Sequence, residues 1–202
     1  MNIDLTELMK SSKDSLEGKW GLAIGTFLVF ILISTGLQLS AEKYPMSGFI
    51  TLLISGPFGV GLSGFALKLS RNEEARFEDS FAGFSNFLNS FLAYLLILII
   101  VAGGIILFII PGIIAAMALS MTYIILSEDP NISALDALKK SHKMMDGYKM
   151  KYFFLSLRFF GLGLLCILTL GIGFFWLMPY MYVTNAKFYD QIKDVHTIEI
   201  ID

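Results

Sequence analysis

Apolar and charged positions along this chain fall into long blocks, without the short alternation of a soluble strand or surface helix. From Ser80 to Ser127 there is no Asp, Glu, Lys or Arg, a run of 48 residues. As one helix it would extend about 72 Å against a hydrocarbon thickness of about 30 Å, so it folds back on itself. Pro111-Gly112 near the middle supplies the break, because proline disfavours helix in the residue before it. The pattern predicts a helix from Phe87 to Leu107, a tight turn at Phe108–Pro111 and a return helix to Leu126. Trp20–Ala41 and Tyr44–Leu67 are charge-free and each suits one crossing. Tyr152–Ala186 holds a single charge, Arg158, in 35 residues. At about 52 Å of helix it reads as two shorter spans reversing near Thr169–Gly173. The prediction is an all-α polytopic membrane helix bundle with six transmembrane helices in three hairpins. A five-span arrangement with a re-entrant final segment stays open.

The placement of Lys and Arg orients these spans. On the six-span layout the N-terminus, the 68–86 loop, the 128–151 loop and the C-terminus share one side. They carry thirteen of these residues, and the opposite side carries only Lys43. The positive-inside rule then predicts cytoplasmic termini. No cleavable signal peptide is expected, because the first apolar run begins only at Trp20 and lacks a small-residue exit. Composition agrees: 55% of residues are hydrophobic and 16% charged, where a soluble domain has about 25% charged. The net charge of −2 offers no basic footprint for nucleic acid. The lone Cys166 lies in an apolar run and reads as a small buried hydrophobe.

The charged segments predict interfacial amphipathic helices on the cytoplasmic side. Ser133 with Asp136 makes a capping-box-like start, and Gly147 is a left-handed end. Leu135, Leu138, His142 and Met145 are expected on one face of this helix, with Asp136, Lys139, Lys140 and Lys143 on the other. Tyr148, Lys149, Lys151 and Tyr152 follow as an interfacial anchor. The N-terminus has the same plan: Asp4 as cap, a stripe of Leu5, Leu8, Met9 and Leu16, then Gly18 and Lys19-Trp20. With an offset of 129 the two segments align without gaps, Lys10, Ser12 and Gly18 matching Lys139, Ser141 and Gly147. Arg76–Phe87 is a weaker third copy. The organisation expected is one transmembrane domain over 1–194, as three repeats 3–71, 76–128 and 132–193, with a disordered tail 195–202.

Catalytic constellations are missing from the sequence. His142 and His196 stand alone, no Cys pair exists, and no nucleophile elbow or phosphate loop is present. Neither a metal nor any other cofactor is expected. Glu73, Glu74, Glu78 and Asp79 with Arg71 and Arg76 read as a polar connector. Arg158 lies inside the fifth span, where a charge either marks a functional site or snorkels to the interface about two turns away. The polar residues available as its partners, or as parts of a binding site, are Asn86, Asn89, Tyr94, Tyr182 and Asn185. Lys139, Lys140, Lys143, Lys149 and Lys151 are candidate contacts for anionic lipid headgroups. Gly21 with Gly25, and Ser55, Gly59 and Ser63, form small-residue ridges.

The order Glu17-Gly18-Lys19-Trp20-Gly21-Leu22-Ala23-Ile24, then Ile110-Pro111-Gly112-Ile113-Ile114, resembles an uncharacterised bacterial integral-membrane family, domain of unknown function 975. Ser133–Ser141, Thr169–Gly173 and Pro179-Tyr180-Met181 continue the resemblance, which covers about Leu5 to Lys193. It implies a bacterial, Gram-positive-type cytoplasmic membrane protein and carries over no catalytic residues. Ala116–Thr122 departs from the family's pattern in lacking the Arg and Tyr of its relatives, which argues against a charged pore along the fourth span.

The leading expectation is a non-enzymatic scaffold or accessory factor acting through anionic membrane lipid, a membrane-protein partner or a second copy of itself. The second is a small transporter or channel for a lipid, peptide or amphipathic small molecule. A membrane enzyme ranks third, because almost no titratable groups fall inside the spans.

Overall fold

The computed structural model describes residues 3–41, 44 and 46–198. Among the described residues the structure is all-helical: α1 (Leu5–Leu16), α2 (Trp20–Ala41), α3 (Met46–Ser70), a 3-10 segment (Phe77–Phe84), α4 (Phe87–Leu107), α5 (Ile109–Ala118), α6 (Thr122–Glu128), α7 (Ala134–Met144), α8 (Lys149–Leu168) and α9 (Phe174–Ile198). Five stretches are long and apolar enough to cross a membrane: α2, α3, α4, the α5–α6 run and α8. The sixth expected span, α9, is not among them. Tyr180, Tyr182, Thr184 and Asn185 dilute its apolar half, and Lys187, Asp190 and Lys193 follow. Residues 195–198, expected in a disordered tail, continue α9, and the rest of that tail lies outside the described residues.

The short polar helices end as their sequences dictate. Asp4 Oδ1 accepts from the Thr6 and Glu7 amides at 2.8 and 3.4 Å. Ser133 Oγ accepts from the Asp136 amide at 3.2 Å and donates to its carboxylate at 2.7 Å. Such caps satisfy amides that the first turn leaves unpaired. Gly18 and Gly147 then take positive φ, +74° and +79°, the left-handed region open to glycine. The weaker third copy forms 3-10 rather than α-helix.

α7 buries Leu138 and Met145 of the face expected and exposes the expected polar face, but its inward face is rotated away from Leu135 and His142. Ala134, Ala137, Leu138, Ser141, Met144 and Met145 are buried, whereas Leu135 and His142 are exposed. Small side chains let α7 approach α6 closely, and hydrophobicity alone does not mark such a face.

The α4–α5 hairpin reverses at one extended residue, Phe108, with Pro111 in the first turn of α5, where a missing amide costs nothing. The arms touch at Gly104 and Gly112; a methyl on Gly104 would stand 2.8 Å from the Gly112 Cα. The return helix is not continuous to Leu126 as expected but breaks between Ala118 and Thr122. Ser141 of α7 explains the break. Its fully buried hydroxyl donates to the Ala118 carbonyl at 2.8 Å and accepts from the Met121 amide at 3.2 Å.

α3 is the central helix, packed by α2, the 3-10 segment, α4, α6 and α9. α4 and α8 are peripheral and expose apolar side chains along their length. The ends of α3, α6 and α9 gather at one charged end of the bundle. The tips at 105–110 and 168–172 are apolar and exposed.

Candidate functional site

A cleft of about 520 Å³ opens between α2, α3, α4, α6 and α9. Phe27, Phe30 and Ile31 of α2 and Ile54, Phe58 and Leu62 of α3 form its apolar walls. Rings fix these walls: Phe27 meets Tyr182 edge-on at 4.9 Å, and Phe30 meets Phe58 at 4.5 Å. Tyr94, Tyr123 and Tyr182 place phenol groups on the cleft, with Ser34, Thr35, Thr51 and Ser55. Gly59 lines it because Tyr123 lies across it: a methyl there would stand 3.0 Å from the ring.

Two smaller spaces adjoin. A chamber of about 190 Å³ shares Tyr123 and Tyr182 and adds Ser63, Ser120, Ile124 and Asn185. A cavity of about 410 Å³ between α8 and α9 also reaches Asn185, with Tyr152 and Ser156. All three spaces surround the Leu177–Asn185 stretch of α9, and among the described residues no charged side chain lines any of them. The described residues of the site offer hydroxyl and amide hydrogen bonds inside an apolar enclosure.

The residues singled out from sequence separate into three places. Tyr94, Tyr182 and Asn185 belong to the cleft and its neighbours. Asn86 and Asn89 lie elsewhere and tie α4 to the α6–α7 connection. Asn86 donates to the Pro130 carbonyl, Asn89 donates to Asn86 Oδ1 at 3.1 Å, and Asn89 Oδ1 accepts from the Ala134 amide at 3.4 Å. Arg158 lies outside the cleft as well. Its guanidinium donates to Thr6 Oγ1 at 3.2 Å and lies 4.0 Å from Met9 Sδ, so it clasps α8 to the start of α1. The Asp4 carboxyl there is held below its usual range, first by the Thr6 and Glu7 amides and further by the Arg158 charge.

Among the candidate headgroup lysines, Lys139, Lys140 and Lys143 are exposed, whereas Lys149 and Lys151 are half-buried. Lys139 lies 3.7 Å from Asp136, Lys149 pairs with Asp146 at 2.5 Å, and Lys151 sits over the Tyr148 ring at 5.9 Å.

Sequence reasoning missed Tyr123 and a second polar centre at the charged end. Arg71 grips Asp190 through two hydrogen bonds, at 2.6 and 3.1 Å, and Glu128 at 2.7 Å. Tyr189 and Lys193 donate to the other Glu128 oxygen at 2.7 and 2.6 Å. The bond to Asp190, despite partial burial, holds the Arg71 guanidinium above its usual range. The available signal was Glu128 itself, the first charge after the long apolar run.

No curated protein and no solved structure matches the chain. A family described as protein of unknown function (DUF975) matches twice, over residues 1–109 and 97–196. Together the two matches cover nearly the whole length, and the chain belongs to the DUF975 family.

Proposed function

We propose that the protein is a non-enzymatic multi-pass membrane protein that binds lipid, holding an uncharged amphiphile in the cleft around α9 as a scaffold or accessory factor. The observation that carries this reading is the lining: aliphatic and aromatic walls, tyrosine, serine and asparagine groups at the inner end, and no charge. An acyl or isoprenoid chain is matched by the walls, and a hydroxyl or carbonyl group by the inner end. The six-span, three-hairpin topology belongs to the same proposal, with α9 as the last span. So do cytoplasmic termini in a bacterial cytoplasmic membrane, supported by the one-sided distribution of Lys and Arg. The test is lipid analysis of the full-length protein purified in mild detergent. Wild type is expected to retain an uncharged amphiphile that Gly59→Leu and Ser55→Phe, which fill the cleft from two positions, release. An empty wild-type protein, or cleft-filled variants that retain the amphiphile, overturns the reading.

A second reading is a small transporter or channel for a lipid, peptide or amphipathic small molecule. It is favoured by the ion cluster at the ends of α3, α6 and α9, which lies beyond the chamber toward the charged end. Movement of such a solute by reconstituted wild type, accelerated by Arg71→Gln, would favour it over static binding.

A further inference from the structure

Two open grooves lie where a short amphipathic helix, α1 or α7, meets an apolar hairpin. The first, about 590 Å³, runs between α1 and the α8–α9 hairpin and is lined by Met9, Lys13, Leu162, Leu165 and Trp176, with Trp20 at its side. The second, about 550 Å³, runs between α7 and the α4–α5 hairpin and is lined by Ile100, Ile114, Leu138, Lys139 and His142. Under the offset of 129 that aligns α1 with α7, Met9 corresponds to Leu138 and Lys13 to His142. The same two helix positions, an apolar residue and a nitrogen donor one turn later, line both grooves.

We propose that each groove seats one anionic phospholipid, its acyl chain along the hairpin and its phosphate at the nitrogen donors of the short helix. This rests on the lipid-binding reading but places the lipid on a surface separate from the cleft. Charge complementarity selects the occupant. Each groove has an apolar floor continuous with lipid-facing side chains and a cation, Lys13 or Lys139, at its edge. Among the described residues Lys13 makes no ion pair, and Lys139 has only the distant, exposed Asp136 carboxylate. Both ammonium groups are therefore available to a phosphate. Trp20 and Trp176 give the first groove the amphipathic rings that favour the headgroup level. A zwitterionic lipid would place its own cation against the same edge.

The test is native mass spectrometry of the full-length protein after exchange into mixed phosphatidylglycerol and phosphatidylcholine of identical chains. Two retained phosphatidylglycerol molecules per chain are expected. Lys13→Gln should lose one and the double substitution Lys139→Gln, His142→Gln the other, each weakened about fivefold, the worth of one cation near an anionic surface. These side chains are exposed, so folding is preserved, and Lys13→Arg should restore binding. Lys10→Gln removes an exposed charge of α1 outside both grooves and should retain both lipids. Equal retention of the two lipid classes, or a loss in Lys10→Gln as large as in Lys13→Gln, overturns the proposal. Gly59→Leu separates the two readings: it should empty the cleft and leave both phosphatidylglycerol molecules in place.

Discussion

Ser141 and Ser12 occupy equivalent positions under the 129-residue offset but do different work. The Ser12 hydroxyl donates to Leu8 in its own helix, whereas Ser141 bridges the two backbone groups freed where α5 and α6 part. Ser141→Ala leaves a buried amide and a buried carbonyl without that partner, at a cost of about 1–3 kcal/mol. The midpoint of thermal unfolding in detergent should fall clearly for Ser141→Ala and barely for Ser12→Ala; equal shifts would refute the bridging role. Arg158 makes the complementary point. It stood out in the sequence as a lone intramembrane charge, yet its hydrogen-bond partner Thr6 lies 152 residues earlier. Local pattern reveals an isolated charge but not a contact across that distance. Because the contact is exposed, Arg158→Leu should cost under about 1 kcal/mol. Its signature should be faster amide exchange over residues 4–9, with amphiphile retention in the cleft unchanged.

Helices follow the sequence closely where the chain alone decides them. α2 and α4 begin and end where the charge-free windows predict, because a length of apolar residues and a breaker suffice to define a span. The α5–α6 break and the rotation of α7's inward face toward Ala134, Ala137 and Ser141 were not legible, since each depends on a second helix. The glycine pair Gly104 and Gly112 sets the closeness of the α4–α5 hairpin. Gly104→Val should cost about 1–3 kcal/mol through overpacking, read as a lower thermal midpoint, whereas Gly103→Val, where a Cβ meets nothing, should not. The 3-10 segment is held by Asp79, which accepts from the Arg76 amide and from Lys68, each at 2.8 Å. Burial pushes the Asp79 carboxyl up, but the Lys68 and Arg76 bonds outweigh it, so the group lies below its usual range. A carboxyl with a depressed folded pKa stabilises fully above its unfolded value of about 3.9 and loses that contribution as pH falls through the folded value. The stability gap between wild type and Asp79→Asn should therefore be constant near neutrality and close below about pH 4. A gap independent of pH would exclude this linkage.

At the scale of the molecule, charge is scarce, and the Arg71 cluster concentrates it where three helix ends meet. Arg71 directly follows α3, Glu128 ends α6 and Asp190 lies in α9, and these same helices wall the chamber around Tyr123, Tyr182 and Asn185. Removing Arg71 takes the guanidinium from the partly buried Asp190 carboxylate while Glu128 keeps Lys193 and Tyr189, so the cost exceeds the loss of one surface pair. Arg71→Gln should destabilise by about 1–3 kcal/mol, discounted from the value for a fully buried pair because the groups retain solvent access. Arg71→Lys cannot reproduce the two-pronged grip on Asp190 and should recover only part. If the cluster also holds the charged end of the chamber shut, amphiphile retention should fall in Arg71→Gln by more than in a variant of matched stability such as Ser141→Ala. Equal retention in the two variants would reduce the cluster to a structural fastening and remove the observation that favours transport over static binding.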